Sequence, residues 1–302
     1  MIFVTEVLTN AIRAGTAVGY VSVGEVIGQR SGVINLGAEG SMLAGALTAF
    51  ALTAWTGNPW YGVMCGGISG ALMSLIHAFV VITRNANQLA TGLAIMFFGQ
   101  GITAYFGSSY VNLQISGFEP IALPFLSDIP IIGSIFFHHD ILTYLSMLMV
   151  PLVWVFLFST KWGVILRATG ERDEVVYAHG KSPNCIRYMA VVVGGFFAGV
   201  GGAQLSIAFS HSWMENITQG RGLIGVILVI FASWRPERAM LGAYLFGGSQ
   251  ALIVSLQGRG YNFSSFLLFM IPYILTIVVL VMVERTGWNP MPEALKKVFG
   301  RG

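Results

Sequence analysis

The sequence predicts an all-α polytopic membrane protein, and three observations lead there. Hydrophobic residues make up 55% of the 302-residue chain and charged residues only 10%, against roughly 25% charge in soluble domains. Apolar runs recur at the length of ~20 residues that a helix needs to cross a hydrocarbon core ~30 Å thick. Nothing alternates apolar and polar residues in the segments of roughly 10 that build a membrane β-barrel.

On that ruler the candidate helices fall at 8–28, 37–56, 60–83, 88–108, 141–160, 188–210, 221–234, 239–257 and 265–284, about nine spans in a range of roughly 8–10. Arg13 and Glu25 interrupt the first span, which blurs its limits. The seventh is short and reads as a crossing, a re-entrant segment or a broken half-helix. Met1–Asn10 lacks a basic stretch and contains Glu6, so no cleaved signal peptide is expected. Without a linker or low-complexity tail, residues 1–302 read as one membrane domain. Cys65 and Cys185 lie in unlike surroundings and offer neither a disulfide framework nor a metal site.

Lysine and arginine set the orientation. With the N-terminus outside and nine crossings, 13 of the 16 basic residues fall on the cytoplasmic side, leaving Arg13, Arg221 and Arg259. The long 109–140 connection has no Lys or Arg but carries Glu119, Asp128 and Asp140, as an external loop should. Gly15/Gly19, Gly66/Gly70 and Gly195/Gly199 have the G-x-x-x-G spacing that lets helix backbones approach closely in lipid. Packing within the chain is the first reading of these pairs, and a dimer seam the second.

Polar residues within the spans suggest where solute passes. In SGVINLGAEGSMLAGA, residues 31–46, Asn35 is a candidate N-cap, and Glu39 would then lie in the first turn, where the helix dipole favours an anion. Glu39 either lines a pathway or pairs with Arg30 or Arg84 to fasten one face of the bundle. In NANQLATGLAIMFFGQGITA, residues 85–104, Gln88 and Thr91 share a helix face, and Gln100 follows Phe97 and Phe98. Amides beside aromatic rings suit a neutral, planar or hydroxylated solute. Interhelical hydrogen bonds are the competing role for each.

Other chemistry is poorly represented. His138, His139 and Asp140 are adjacent but lack metal-ligand spacing, so no metal site is assigned. No G-x-S-x-G elbow or nucleophile–base pair points to an enzyme. No phosphate-binding G-x-x-x-x-G-K-[ST] loop gives the chain its own ATPase site. Nor does the chain call for a nucleic-acid polymer as partner. An ion-coupled secondary transporter, using Glu25 and Glu39 as proton sites, is the rival class.

The strongest functional signal is KWGVILRATGERDEVVYAHGKSPNCIR, residues 161–187, which holds 8 of the chain's charged residues. Gly170 and Gly180 bracket a helix-compatible run from about Asp173 to His179, and Pro183 bars its continuation. Val175, Val176 and Tyr177 would place apolar groups on this short helix in water, a patch suited to docking.

Four segments resemble permease subunits of bacterial ABC importers for nucleosides, simple sugars and branched-chain amino acids. SGVINLGAEGSMLAGA is similar to the signature of the nucleoside and simple-sugar subgroup. NQLATGLAIMFFGQGITAYF is similar to its next helix, with Met96 where Asn is common. The 163–205 segment resembles the cytoplasmic loop and Gly-rich helix, although ERDE is richer in charge than the usual form. GRGLIGVILVIFASWRPERAMLGAYLFGG resembles the later G-R-G…W-x-P pattern. The resemblance implies a cytoplasmic ATP-binding subunit that holds the ATP and Mg, with no cofactor in this subunit. It also implies a second, related permease and an extracytoplasmic binding protein or lipoprotein, all in a bacterial cytoplasmic membrane. Residues 161–187 would be the coupling loop, with about 171–182 entering the ATPase and Gly170, Glu171, Asp173, Val175, Val176, Tyr177 and Gly180 as coupling residues. A nucleoside or purine-type solute is the expected cargo and a simple sugar the alternative. Asn35, Glu39, Gln88, Thr91, Phe97 and Gln100 are the candidate pathway residues.

Overall fold

The computed structural model describes residues 2–300 except 128, 131, 260–269, 271–273, 275–277, 279–280, 282–290 and 299. Every expected span before 265 coincides with a helix. They are α1 (Ile2–Arg30), α2 (Ala38–Thr56), α3 (Pro59–Ala78), α4 (Gln88–Gly107), α6 (Ile141–Ser159), α9 (Pro183–Gln204), α10 (Arg221–Phe231) and α11 (Pro236–Gly258). Between them lie the shorter α5 (Ile132–Phe136), α7 (Lys161–Glu171) and α8 (Asp173–Ala178), and α12 (Glu293–Val298) follows near the C-terminus. The expected span 265–284 falls outside the described residues apart from isolated positions.

Helix starts follow local chemistry. Asn58 accepts from Trp60 N ahead of Pro59, Asn87 accepts from Leu89 N and Ala90 N, and Thr160 and Ser182 cap α7 and α9. Each such cap satisfies an otherwise orphaned N–H and is worth about 1 kcal/mol. Asp140 accepts from both the N–H and the hydroxyl of Thr143, capping α6. α2 departs from expectation. Gly37 occupies its N-cap with no side-chain hydrogen bond, because Asn35 has turned away toward α3.

Among the described residues, five helical segments are long and apolar enough to cross a membrane: Pro59–Thr83, Gln88–Tyr110, Ile141–Ser159, Pro183–Phe209 and Pro236–Gly258. α1 and α2 have comparable lengths but hold more glycine, alanine and polar residues, which fits their position. Both are wrapped by other helices, with Ala17, Val21, Val26, Met42, Ala46 and Phe50 fully or almost fully buried. α1 packs against α9, α10 and α11, while α2 packs against α3, α4 and α9. α10 is different: its 11 residues span about 16 Å, half of a hydrocarbon core. The short seventh segment is therefore a half-helix.

The glycine pairs pack inside the chain. On the α3–α9 seam a Cβ at Gly199 would sit 2.2 Å from the Gly66 carbonyl oxygen, and one at Gly70 would sit 2.4 Å from the Gly195 oxygen. Only hydrogen fits between those backbones. Gly15 meets the Ala243–Tyr244 backbone in the same way.

The 109–140 connection folds back over one end of the bundle. Ile121–Ala122 pairs antiparallel with His138–His139. Phe118 N and Ile115 N donate to the carbonyls of Ile207 and His211, beyond the end of α9.

Candidate functional site

The charged island is an elbow of two helices. Residues 161–171, expected to form part of a loop, form α7, whose Leu166 is buried. At Arg172 the backbone becomes extended, with φ −147° and ψ 96°, and α8 begins at Asp173. α8 ends as the sequence predicts: Gly180 takes φ +70°, its N–H bonds the Tyr177 carbonyl, and Lys181 N bonds the Val176 carbonyl. This paired closure around a left-handed glycine is a Schellman motif.

The apolar residues of α8 do not all point outward. Tyr177 is 75% exposed and Val175 is exposed, but Val176 is 4% exposed and belongs to the main core. Val176 therefore anchors α8, correcting the expectation that all three form one docking patch. Gly170 is also inward: a Cβ there would lie 2.3 Å from the Arg30 carbonyl oxygen. Glu171 Oε2 accepts from Glu293 N of α12 at 3.4 Å.

Arg187, near the start of α9, joins the elbow to the bundle. Its guanidinium donates to Asp173 Oδ2 of α8 at 3.2 Å, to the Thr169 carbonyl of α7 at 3.4 Å and to the Ser31 carbonyl after α1 at 3.4 Å. A cavity of about 680 Å³ opens beside it, with Gly32, Asn85, Gly170 and Lys297 among its lining. Composition had marked Arg187 only as one charge of the island.

From Ser31 the chain re-enters the bundle as a hydrogen-bonded loop. Ile34 N donates to Gln88 Oε1 at 2.9 Å, and His77 Nε2 lies 3.1 Å from the Ile34 carbonyl. Asn35 Nδ2 donates to Ser74 Oγ, which also bonds Ser41 Oγ, both at 3.0 Å. Gln88 and Asn35 thus brace the loop against α4 and α3. Ser74 and His77 carry this junction, yet in the sequence they are ordinary polar residues of an apolar helix.

Glu39 ends the path. It pairs with neither Arg30 nor Arg84; Arg30 donates instead to the Trp234 and Ser233 carbonyls. Only 1% exposed, Glu39 accepts from Thr218 Oγ1, from Gly220 N at 2.8 Å, from Gly222 N at 2.6 Å and from Leu223 N at 3.3 Å. Those N–H groups open α10. Ile224 packs on Val18 and Gly225 meets Val21, midway along α1, so α10 begins inside the bundle. A helix N-terminus there presents unpaired N–H groups and a partial positive charge. Glu39 answers both, and Gly222 leaves room for it: a Cβ at that position would lie 2.6 Å from Glu39 Cα.

Other pathway candidates do not converge. Thr91 is buried near Gln88's end of α4, and Gln100 is half-buried farther along. Phe97 is 63% exposed on the outer face of α4, with Phe98 beside it. Glu25 is buried, and its Oε2 has no hydrogen-bond partner among the described residues.

Residues 7–283 match the family of the branched-chain amino acid transport system permease component. The chain belongs to that family. The permease is 41% identical to a putative glucose ABC transporter permease of Haloferax volcanii, over 87% of this chain and 80% of that one. It is 31% identical to a nucleoside ABC transporter permease of Lactococcus lactis, covering 97% and 96%. A guanosine ABC transporter permease of Bacillus subtilis is 32% identical, with 86% of each chain covered. No solved structure matches. The permease is a multi-pass membrane protein and a transport component, as the four sequence segments imply. Two of those segments meet at the Glu39–Gly222 contact.

Proposed function

We propose that the permease moves a nucleoside or purine-type solute inward across a bacterial cytoplasmic membrane, driven by ATP hydrolysis on a separate subunit. The observation that carries this reading is the Arg187 junction, where one side chain bonds both helices of the elbow and the loop leading to α2, whose Glu39 caps the half-helix. The N-terminus lies outside and the elbow inside, in keeping with the clustering of basic residues. Tyr177 and Val175 dock on the ATPase, which binds the ATP and Mg. A second, related permease completes the pathway, and an extracytoplasmic binding protein delivers solute.

In this mechanism, closure of the ATPase dimer shifts α8. Asp173 and Thr169 pull on Arg187, Arg187 pulls on Ser31, and the 31–37 loop carries the displacement to Glu39 and α10. A packed junction with discrete arrangements turns a small shift into a change of access. No ion gradient is required.

The nucleoside reading is supported by the Lactococcus and Bacillus relatives, which match along nearly their whole lengths. The higher identity to the Haloferax protein favours a simple sugar as the second reading. Competing uptake of labelled guanosine and glucose, in cells with and without the gene, separates them. Loss of guanosine uptake alone supports the first reading, and loss of glucose uptake alone overturns it. Uptake that survives ATP depletion but stops when the proton gradient collapses would overturn the ATP-driven mechanism.

A further inference from the structure

α6 leans on α1, α7 and α11 and stands off from α3 and α9. The gap is a groove of about 800 Å³, floored by Tyr20 and Ile27 of α1 and walled by Leu148, Val153, Val193 and Phe197 among others. Its lining runs along α6 from Leu142 to Phe156, about 21 Å at a rise of ~1.5 Å per residue. One leaflet of the hydrocarbon core is only about 15 Å deep. Exposed tryptophans mark both ends, Trp60 at the start of α3 and Trp162 at the start of α7. Indole rings favour the membrane–water interface.

The Trp162 end is charged. Lys181 Nζ lies 5.8 Å from the centre of the Trp162 ring, and Lys161 precedes that residue. Neither ammonium forms an ion pair among the described residues. Two acids of the elbow are engaged elsewhere: Asp173 bonds Arg187, and Glu171 accepts from Glu293 N. The apolar trough therefore ends beside two lysines that form no ion pair among the described residues.

We infer that this groove is a binding site for one class of lipid, an anionic glycerophospholipid, with a hydrocarbon chain along α6 and its phosphate headgroup at Lys161 and Lys181. The inference rests on the membrane setting alone and stands whichever solute is carried. Groove occupancy would fix the spacing of α6 from α9, and so the seating of α7 and the elbow.

The test is native mass spectrometry of the full-length permease, delipidated in mild detergent and titrated with phosphatidylglycerol or phosphatidylcholine. Phosphatidylglycerol should bind more tightly. Lys161→Ala and Lys181→Ala should each weaken it about fivefold, as expected for a lysine near an anionic surface, while leaving phosphatidylcholine unchanged. Leu148→Trp, at a position 54% exposed, should fill the groove and reduce binding of both lipids. Equal affinity for the two lipids, or unchanged phosphatidylglycerol binding in the double lysine variant, would overturn the inference. So would a photo-crosslinker at Val193 that captures a protein helix instead of lipid in native membranes.

Discussion

Replacing Glu39 by Gln tests whether the carboxylate holds the half-helix or meets the solute. The substitution keeps one carbonyl oxygen, which can still accept from Thr218 and Gly220 N, but turns an NH₂ group toward the N–H groups of Gly222 and Leu223. Hydrogen bonds to a charged group contribute about 1.5–3 kcal/mol each, so losing two costs about 3–6 kcal/mol. The long 3.3 Å bond to Leu223 places the expected value near the lower end. Glu39 is 1% exposed, so water cannot replace the missing acceptor. A loss of about 3 kcal/mol is a large fraction of the 5–15 kcal/mol that separates folded from unfolded domains. Denaturant titration of the detergent-purified permease should show this loss, with less protein accumulating in membranes and uptake falling in proportion. Glu39→Ala should be worse, because it leaves every one of those donors unpaired. Wild-type stability and assembly with abolished uptake in Glu39→Gln would refute the capping role and assign Glu39 to the pathway.

Tyr177→Asp should leave stability within about 0.5 kcal/mol, as exposed substitutions do, yet abolish co-purification of the ATPase; retained co-purification would remove α8 as the docking element. Val176→Asp should instead destabilise the permease by at least about 3 kcal/mol, since it buries a charge without a partner, measurable by the same titration. Arg187→Ala should cost only about 1–2 kcal/mol, because Asp173 is half exposed. It should nevertheless uncouple ATP hydrolysis from uptake, so the number of solutes moved per ATP in reconstituted vesicles is the readout. Gly199→Leu should prevent α3 and α9 from meeting and cost about 3 kcal/mol or more, seen as loss of folded protein.

The approximate extent of the long helices was legible in the sequence because local rules govern it. Apolar run length, an Asn, Asp, Ser or Thr before the first turn, Pro at the start and Gly at the close all act within a few residues. The end of α8 at Gly180 follows from that chemistry, whereas local rules left the short 221–234 segment open between a crossing, a re-entrant segment and a half-helix. α7 was missed because its charges resemble a solvated loop; the apolar stripe through Leu166 is short and shows only once α6 and α9 lie beside it.

The sequence by itself determined the class, the positions of the long helices before 265, the short α8 and, through four motifs, the family. Tertiary structure alone decided which way the side chains face and whom they meet. Val176 and Tyr177 are neighbours of similar apolarity, yet one is core and the other exposed, because α8 lies on a surface its own sequence does not describe. Phe97 faces outward for the same reason. Glu39 finds Gly220 N across 181 positions of chain, and Arg187 reaches Ser31 across 156. Hydropathy and spacing report the energetics of a segment with water, lipid and its own backbone. A buried charge is stabilised by whichever donors the fold brings to it, and here those are the open N–H groups of a helix that begins in mid-bundle.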